Sequence, residues 1–355
     1  MKILRPLSIV LCATWTAGAA AQVSLTPPAV QTPPAKAAAK PKPKPPALAK
    51  KPADPAAASK PAAPSTTNVT PAPVPDDPNL DLVYGAYQRG MYKTAFDLAI
   101  KRAQDTGDPK AMTMLGELYA NAMGVKRDYA KAADWYRRGS DGGDREAMFA
   151  LAMLRLAGRG GPASPEEAAK LLASSAKLGN PKAAYNLALL YLDGQTLPQD
   201  LKRAAELFRV AADAGNPEAQ YALATFYKEG TGVPKDIEKS VRLLQAASLS
   251  DNLDAEVEYA IALYNGTGTP KNESAAVALL RKAAKQNSPI AQNRLARVLV
   301  SGQGAPMDKI EGFKWHLVAK TAGKGDPMMD EALAQLSPQD RANAEAAARK
   351  WLGAK

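Results

Sequence analysis

The sequence predicts an all-α solenoid that follows a disordered, proline-rich segment. Two observations support this prediction: a 36-residue pattern recurs six times over residues 107–322, and the composition changes sharply near residue 79. Patterns of this length are typical of helix-turn-helix repeats, which bury their apolar faces only by stacking on one another. We therefore expect a helical stack after residue 78 and little regular structure before it.

The first 21 residues have the pattern of a secretory signal peptide. Lys2 and Arg5 precede a short apolar run that ends in the small residues 19–21. A basic start, an apolar core and an A-x-A site predict cleavage after Ala21 and export to the periplasm. The alternative is an uncleaved anchor in the inner membrane, although the run is shorter than the ~20 residues that a bilayer requires. No later apolar run is long enough to span, so no transmembrane segment is expected after cleavage.

Residues 22–78 are predicted to form a disordered tether. This stretch contains 16 prolines, and its seven lysines outnumber its three aspartates. Proline removes backbone donors and restricts the residue before it, so neither helix nor strand can propagate. The scarcity of large apolar side chains leaves nothing to bury. The alternating lysines and prolines at 40–46 fit a solubilising spacer, or a segment that touches anionic polymers of the cell wall.

Three positions of the 36-residue unit hold similar residues in nearly every repeat and predict how the unit folds. Alanine at position 5 and leucine at position 9 lie on one face of a first helix, helix A, and a small residue at position 16 can end that helix in a left-handed conformation. The alanines are Ala111, Ala147, Ala183, Ala219, Ala255 and Ala291. The ninth positions are Leu115, Leu151, Leu187, Leu223, Tyr259 and Leu295, and the sixteenth are Ala122, Gly158, Gly194, Gly230, Gly266 and Gly302.

Capping residues predict where the helices of each unit begin. Helix A starts at pairs such as Asn180-Pro181, in which a capping side chain precedes a proline that fits the first helical position. Helix B, the second helix, starts at an Asp, Asn or Ser at position 22. Ser164 followed by Glu167 predicts a capping box in the second unit. Helix B is expected to bury positions 29, 30 and 33.

The units resemble Sel-1-like repeats, relatives of the tetratricopeptide repeat with a longer, glycine-containing loop between the helices. The resemblance is strongest at 179–194 and 215–233, and residues 131–136 match helix B of that family. It implies a right-handed α/α solenoid of six units over 107–322. Residues 79–106 resemble a plain tetratricopeptide helix pair, and residues 323–355 are expected to form capping helices.

Three units depart from the family pattern at one position. The tyrosine near the end of helix A is replaced by Arg155, Leu263 and Leu299 in units two, five and six. These replacements should leave the fold intact. They argue against a uniform binding groove along the stack.

The residue types needed for most catalytic and metal sites are scarce. The only cysteine, Cys12, lies within the predicted signal peptide, and the only histidine, His316, occupies an aromatic position of helix B. One histidine without cysteine partners does not make a zinc site, and no nucleophile turn or phosphate-binding loop is recognisable. We therefore expect no catalytic, cofactor-binding or metal-binding residues. With 37 basic and 32 acidic residues in 79–355, a nucleic-acid partner is not expected either.

Position 7 of helix A supplies the candidate binding residues. It is aromatic in units two to four, at Phe149, Tyr185 and Tyr221, and in tetratricopeptide-like solenoids this side of helix A lines the concave face. With Asn186, these side chains are predicted to contact a partner, because tyrosine is enriched at binding hot spots. The alternative is ordinary packing between repeats.

Two arginines of the last helix A complete the set of candidates. Arg294 and Arg297 could hold an anionic group of a partner.

The family resemblance implies a non-catalytic scaffold or adaptor that binds another protein of the cell envelope. A second possibility is a peptidoglycan-binding module, which would use the basic tether and the aromatic side chains. A remote alternative is a β-lactamase-like hydrolase, since some cysteine-rich Sel-1-like proteins are linked to β-lactam hydrolysis. Those proteins carry regularly spaced cysteines, and the repeats of this chain carry none.

Overall fold

The computed structural model describes residues 81–353, where all regular elements are helices. Twelve of these helices have 13 residues each and recur at intervals of 36 residues, which confirms the predicted all-α solenoid. The A helices are α3 (Pro109–Asn121), α5 (Arg145–Ala157), α7 (Pro181–Asp193), α9 (Pro217–Glu229), α11 (Leu253–Asn265) and α13 (Pro289–Ser301). The B helices are α4 (Tyr129–Asp141), α6 (Pro165–Lys177), α8 (Leu201–Asp213), α10 (Ile237–Leu249), α12 (Glu273–Lys285) and α14 (Lys309–Thr321). The predicted signal peptide and tether lie outside the described residues.

The repeated helices begin and end at the capping residues that the sequence indicates. Asn180, for example, accepts hydrogen bonds from the backbone N–H groups of residues 182 and 183, and Asp236 accepts one from Lys239. Each helix A ends in a left-handed residue at position 16. This residue is Ala122 in the first unit and glycine in the other five. Because these capping signals are local, the ends of both helices in a unit are determined by the residues of that unit.

The predicted capping box at Ser164 forms only in part. The Ser164 hydroxyl accepts a long hydrogen bond of 3.4 Å from the Glu167 N–H. The reciprocal bond is absent among the described contacts, because the Ser164 N–H donates to the Arg155 carbonyl. The Glu167 carboxylate instead pairs with the Arg155 guanidinium at 2.9 Å.

A backbone hydrogen bond joins the two helices of every unit in the same way. The N–H of the first capping residue of helix B donates to the carbonyl of position 13 of helix A, as in Asp128 to Tyr119 and Asn272 to Leu263, at distances of 3.1 and 2.8 Å. The position-13 side chain takes no part in this bond. Position 13 can therefore change from tyrosine to arginine or leucine without altering the turn.

Small side chains allow the helices to pack closely. The position-5 alanines are at most 2% exposed, and position 30 of helix B is buried in all six units, for example at Phe208 and Leu280. Position 33 is buried as well, whereas position 29 is only half-buried at residues such as Trp135 and Leu207. Each helix of the six units packs mainly against its neighbours in the chain, as the nearest-neighbour stacking of a solenoid requires.

Additional helices flank the six units. Before them come α1 (Leu82–Gln88) and α2 (Tyr92–Thr106), and after them α15 (Pro327–Ala334) and α16 (Pro338–Leu352). Helix α16 packs on α14, where the Trp351 ring meets the Trp315 ring edge-on with centroids 4.9 Å apart. No helix within residues 81–353 is long and apolar enough to cross a membrane.

Candidate partner-binding surface

The position-7 side chains lie between successive repeats and are mostly half-buried. Phe149, Tyr185 and Tyr221 each keep part of the ring accessible, whereas Val257 at the same position is buried in the core. The Tyr185 ring packs on Phe208 with centroids 5.7 Å apart. Burial, and secondarily the charge of Glu218, raises the pKa of the Tyr185 hydroxyl. These side chains therefore contribute to packing and to the surface at the same time.

A groove on the A-helix face is built by units four to six and is called here the C-terminal groove. It encloses about 450 Å³, with the position-7 residues Tyr221 and Val257 in its wall and buried side chains of α10 at its base. The remaining lining residues are Lys228, Ile237, Ser240, Val241, Leu244, Asp254, Glu258, Ile261, Ala262, Asn265, Thr267, Ser288, Ile290 and Arg294. Its surface is thus largely apolar with a few charged groups at the edge, which is typical of a binding groove.

A hydrogen-bonded triad fixes one wall of the C-terminal groove. The Tyr221 hydroxyl donates to Glu258 Oε1 at 3.0 Å, and Lys228 Nζ donates to Glu258 Oε2 at 2.9 Å. Burial and the Glu258 carboxylate raise the pKa of the Tyr221 hydroxyl well above its usual range. The phenol therefore stays protonated and holds units four and five together through this bond.

The structure separates the two candidate arginines and the candidate asparagine. Arg294 lines the C-terminal groove with Tyr221. Arg297 points elsewhere, because its Nε binds the buried carboxylate of Asp326 at 2.6 Å and so fastens the N-terminus of α15. Asn186 donates to the carbonyl of Lys182 within its own helix. Only Tyr221 and Arg294 of the six candidate residues come together in this groove.

A second groove, the N-terminal groove, was not predicted from the sequence. It encloses about 350 Å³ on the A-helix face between α1, α3 and α5. Its lining consists of Asp81, Val83, Tyr84, Tyr87, Arg102, Asp108, Lys110, Ala111, Thr113, Met114, Glu117, Asp144 and Glu146. Acidic residues at 117, 144 and 146 were not recognisable as neighbours, because only the stacking of different units brings them to one face.

In units one to four the residue at position 13 pairs with position 25 of helix B in the same unit. Lys131 Nζ lies 5.4 Å from the ring centroid of Tyr119, and Lys239 Nζ lies 5.4 Å from that of Tyr227. In the second unit the pair becomes Arg155 with Glu167. The residues that replace the family tyrosine at position 13 therefore affect the contact between helices A and B. The pairing of position 13 with position 25 was not predicted from the sequence.

His316 is buried and contacts a carboxylate of the following helix. Its ring is fully buried, and Nε2 lies 2.8 Å from Asp330 Oδ1. Hydrogen bonds from Lys320, and secondarily from His316, hold the pKa of the Asp330 carboxyl below its usual range. This pair joins α14 to α15. Within residues 81–353 no three acidic, histidine or cysteine residues are placed to hold a metal ion.

Comparison with known proteins identifies the repeat. The model of the Sel1 repeat matches six consecutive stretches, 109–144, 145–180, 181–216, 217–252, 253–288 and 289–324. These have the predicted period and begin two residues later than the predicted units. No curated protein matches the chain.

Two solved structures share the fold. One is a Sel1 repeat protein from Oxalobacter formigenes, with a TM-score of 0.59 and 24% identity over 68% of this chain and 98% of that one. The other is c5321, described as a protective antigen of uropathogenic Escherichia coli with an SLR fold, with a TM-score of 0.54 and 24% identity over 74% of this chain. The match spans 64% of the Escherichia coli chain, less than two thirds of its length.

Proposed function

The chain belongs to the Sel1 repeat family, whose members are protein-interaction scaffolds, and on this basis we propose that it is a non-catalytic adaptor of the bacterial cell envelope. Its partner is another envelope protein, bound on the A-helix face. The observation that carries the proposal is the C-terminal groove, where Tyr221 and Arg294 lie beside an apolar surface that a protein side chain can fill. Tyrosine and arginine are the residue types enriched at binding hot spots.

The envelope location rests on the sequence. The basic start, apolar run and A-x-A site of residues 1–21 support export, and the lysine- and proline-rich composition of 22–78 suits a spacer outside the cytoplasm. Sedimentation of the protein with purified sacculi tests the competing peptidoglycan-binding role. Under the adaptor proposal the protein remains in the supernatant.

Site-specific photo-cross-linking in the cell tests the proposed binding surface. Ile290 lines the C-terminal groove and is 46% exposed, so a photo-reactive residue placed there should capture a defined partner. The matched control is Leu249, which is 80% exposed at the end of α10 and does not line the groove. Capture at both positions, or at neither, would contradict the proposal.

A pair of arginine variants then measures the contribution of the groove. Arg294→Ala removes a cation of the groove and should weaken the captured complex at least tenfold, since truncating a hot-spot residue typically costs about 2 kcal/mol. Arg242→Ala removes another exposed cation, which pairs with Glu238 along its own helix. The control variant should bind like the wild type, and both should keep the wild-type melting temperature.

A further inference from the structure

We propose that the N-terminal groove binds an extended, lysine-rich peptide segment of a partner protein. This inference rests on the proposed function, because it assigns ligand chemistry to another part of the same A-helix face.

The N-terminal groove has the opposite charge to the molecule around it. Five carboxylates line it against two cations, whereas basic residues outnumber acidic ones in 79–355 as a whole. One of the two cations, Arg102, is already shared between Asp81 and Asp108, at 3.1 and 2.5 Å. The groove is therefore an acidic site on a basic protein, which favours a cationic ligand.

The carboxylates deeper in the N-terminal groove are oriented by neutral donors. Glu117 accepts hydrogen bonds from the Asn121 amide and the Tyr136 hydroxyl, at 2.7 and 3.2 Å. Asp144 accepts one from the Thr113 hydroxyl. Neither carboxylate has a lysine, arginine or histidine within 4.0 Å among the described residues. Their negative charge is thus fixed in place and remains available to a ligand.

Tyrosine rings beside these carboxylates favour lysine in particular. Tyr84 is 50% exposed, and Tyr87 lies half-buried one helical turn further along α1. A lysine can lay its aliphatic stem on such a ring and direct its ammonium to a carboxylate. The chain uses the same combination internally, where Lys131 lies over the Tyr119 ring. Because no described group is arranged for a metal ion, a peptide cation is the better fit.

The dimensions of the N-terminal groove suit an extended chain. It crosses α1, α3 and α5, the first helices of three successive helix pairs, which at a packing distance of ~10 Å span about 20 Å. That length corresponds to roughly six residues in extended conformation. The C-terminal groove provides the contrast, since its charged lining residues balance as two acids and two bases. The lysine-rich ligand should therefore prefer the N-terminal groove.

Fluorescence anisotropy of the full chain with a labelled peptide of five Lys-Pro units tests the proposal. Binding should saturate and weaken as salt screens the charges, and a Glu-Pro peptide of equal length should not bind. The variant Glu117→Gln with Glu146→Gln keeps one acceptor oxygen on each side chain, for the amides of Asn121 and Asn180, and removes two charges. Its Kd should rise about tenfold, as expected for two partly exposed ion pairs.

A matched variant removes two carboxylates from the other groove. Asp254→Asn with Glu258→Gln should leave the Kd of the Lys-Pro peptide within about twofold of wild type. Tyr84→Ala, on an exposed side chain, should weaken binding without lowering the melting temperature. Equal losses in the two double variants, binding of the Glu-Pro peptide, or no saturable binding would overturn the inference. If cross-linking at Ile290 still captures a partner in that case, the proposed function stands without it.

Discussion

Gly232 allows two successive repeats to approach each other closely. It lies at position 18, has a φ of +66°, and a Cβ added to it would overlap the backbone carbonyl of Leu201 at the start of α8. Leu201 belongs to the preceding unit, so the missing side chain lets the loop of unit four approach helix B of unit three. Gly230 differs: its φ is +79°, but the nearest atom to an added Cβ is the Lys235 Cβ at 3.3 Å.

Alanine substitutions should separate these two glycines. Gly230→Ala should cost about 1–2 kcal/mol, the usual penalty of a left-handed conformation, because Ala122 already adopts φ +60° at the equivalent position. Gly232→Ala adds a clash with the preceding unit and should cost about 2–4 kcal/mol. Urea unfolding followed by circular dichroism compares the two variants. Equal losses would show that the contact between loop and preceding helix is unimportant.

The sequence predicts glycine in this turn. It does not show that glycine is required at position 18 because of a contact with the preceding unit. Turn chemistry is local and can be recognised from the residues themselves. The overlap with Leu201 depends on how two units stack, and unit three carries Thr196 at position 18. Thr196 is not among the residues with positive φ, so the loop of that unit has a different conformation.

At the level of helix pairs, positions 13 and 25 behave as one contact. Tyrosine pairs with lysine in units one and four, and arginine pairs with glutamate in unit two. Arg155 is only 6% exposed, so its charge depends on Glu167 for compensation. The turn itself is held by the backbone carbonyl of position 13, which is why these side-chain pairs are interchangeable.

A double substitution should therefore transfer the contact of unit one into unit two. Glu167→Lys alone places a lysine beside the buried Arg155 and should cost about 2–3 kcal/mol. Adding Arg155→Tyr should restore at least ~1 kcal/mol of this loss, because neighbouring residues couple by such amounts. Glu166→Lys, an exposed change in the same helical turn, controls for the effect of charge on the helix. Additive losses in a double-mutant cycle of melting temperatures would contradict the pairing.

Helix boundaries were predictable because they depend on caps, whereas side-chain exposure was not. The predicted start of helix B after position 22 agrees with all six B helices. Position 7 was expected to face a groove, and Tyr221 and Val257 do line one, but Val257 is only 4% exposed. Tyr185 packs on Phe208. How much of such a side chain remains accessible depends on the neighbouring unit, which varies along the stack.

Within the described residues, the A-helix face carries two grooves of different charge, one at each end of the stack. The N-terminal groove is acidic and the C-terminal groove is balanced, although both are built from the same repeat. Each groove combines side chains from three successive A-type helices. Stacking therefore generates binding sites that no single unit contains. For this reason the repeat can be recognised from the sequence, whereas the grooves that the repeats form together cannot.

The predicted signal peptide concerns the compartment in which these grooves would meet a partner. If residues 1–21 form a cleaved signal peptide, the mature protein begins at Gln22 and is found in the periplasm. The A-x-A rule requires small side chains at positions 19 and 21 and tolerates variation at position 20. Ala21→Tyr should therefore leave an uncut precursor on the membrane, whereas Ala20→Tyr should be processed like the wild type. N-terminal sequencing by mass spectrometry after cell fractionation distinguishes these forms, and a wild-type protein that keeps Met1 and sediments with the inner membrane would establish an uncleaved anchor instead.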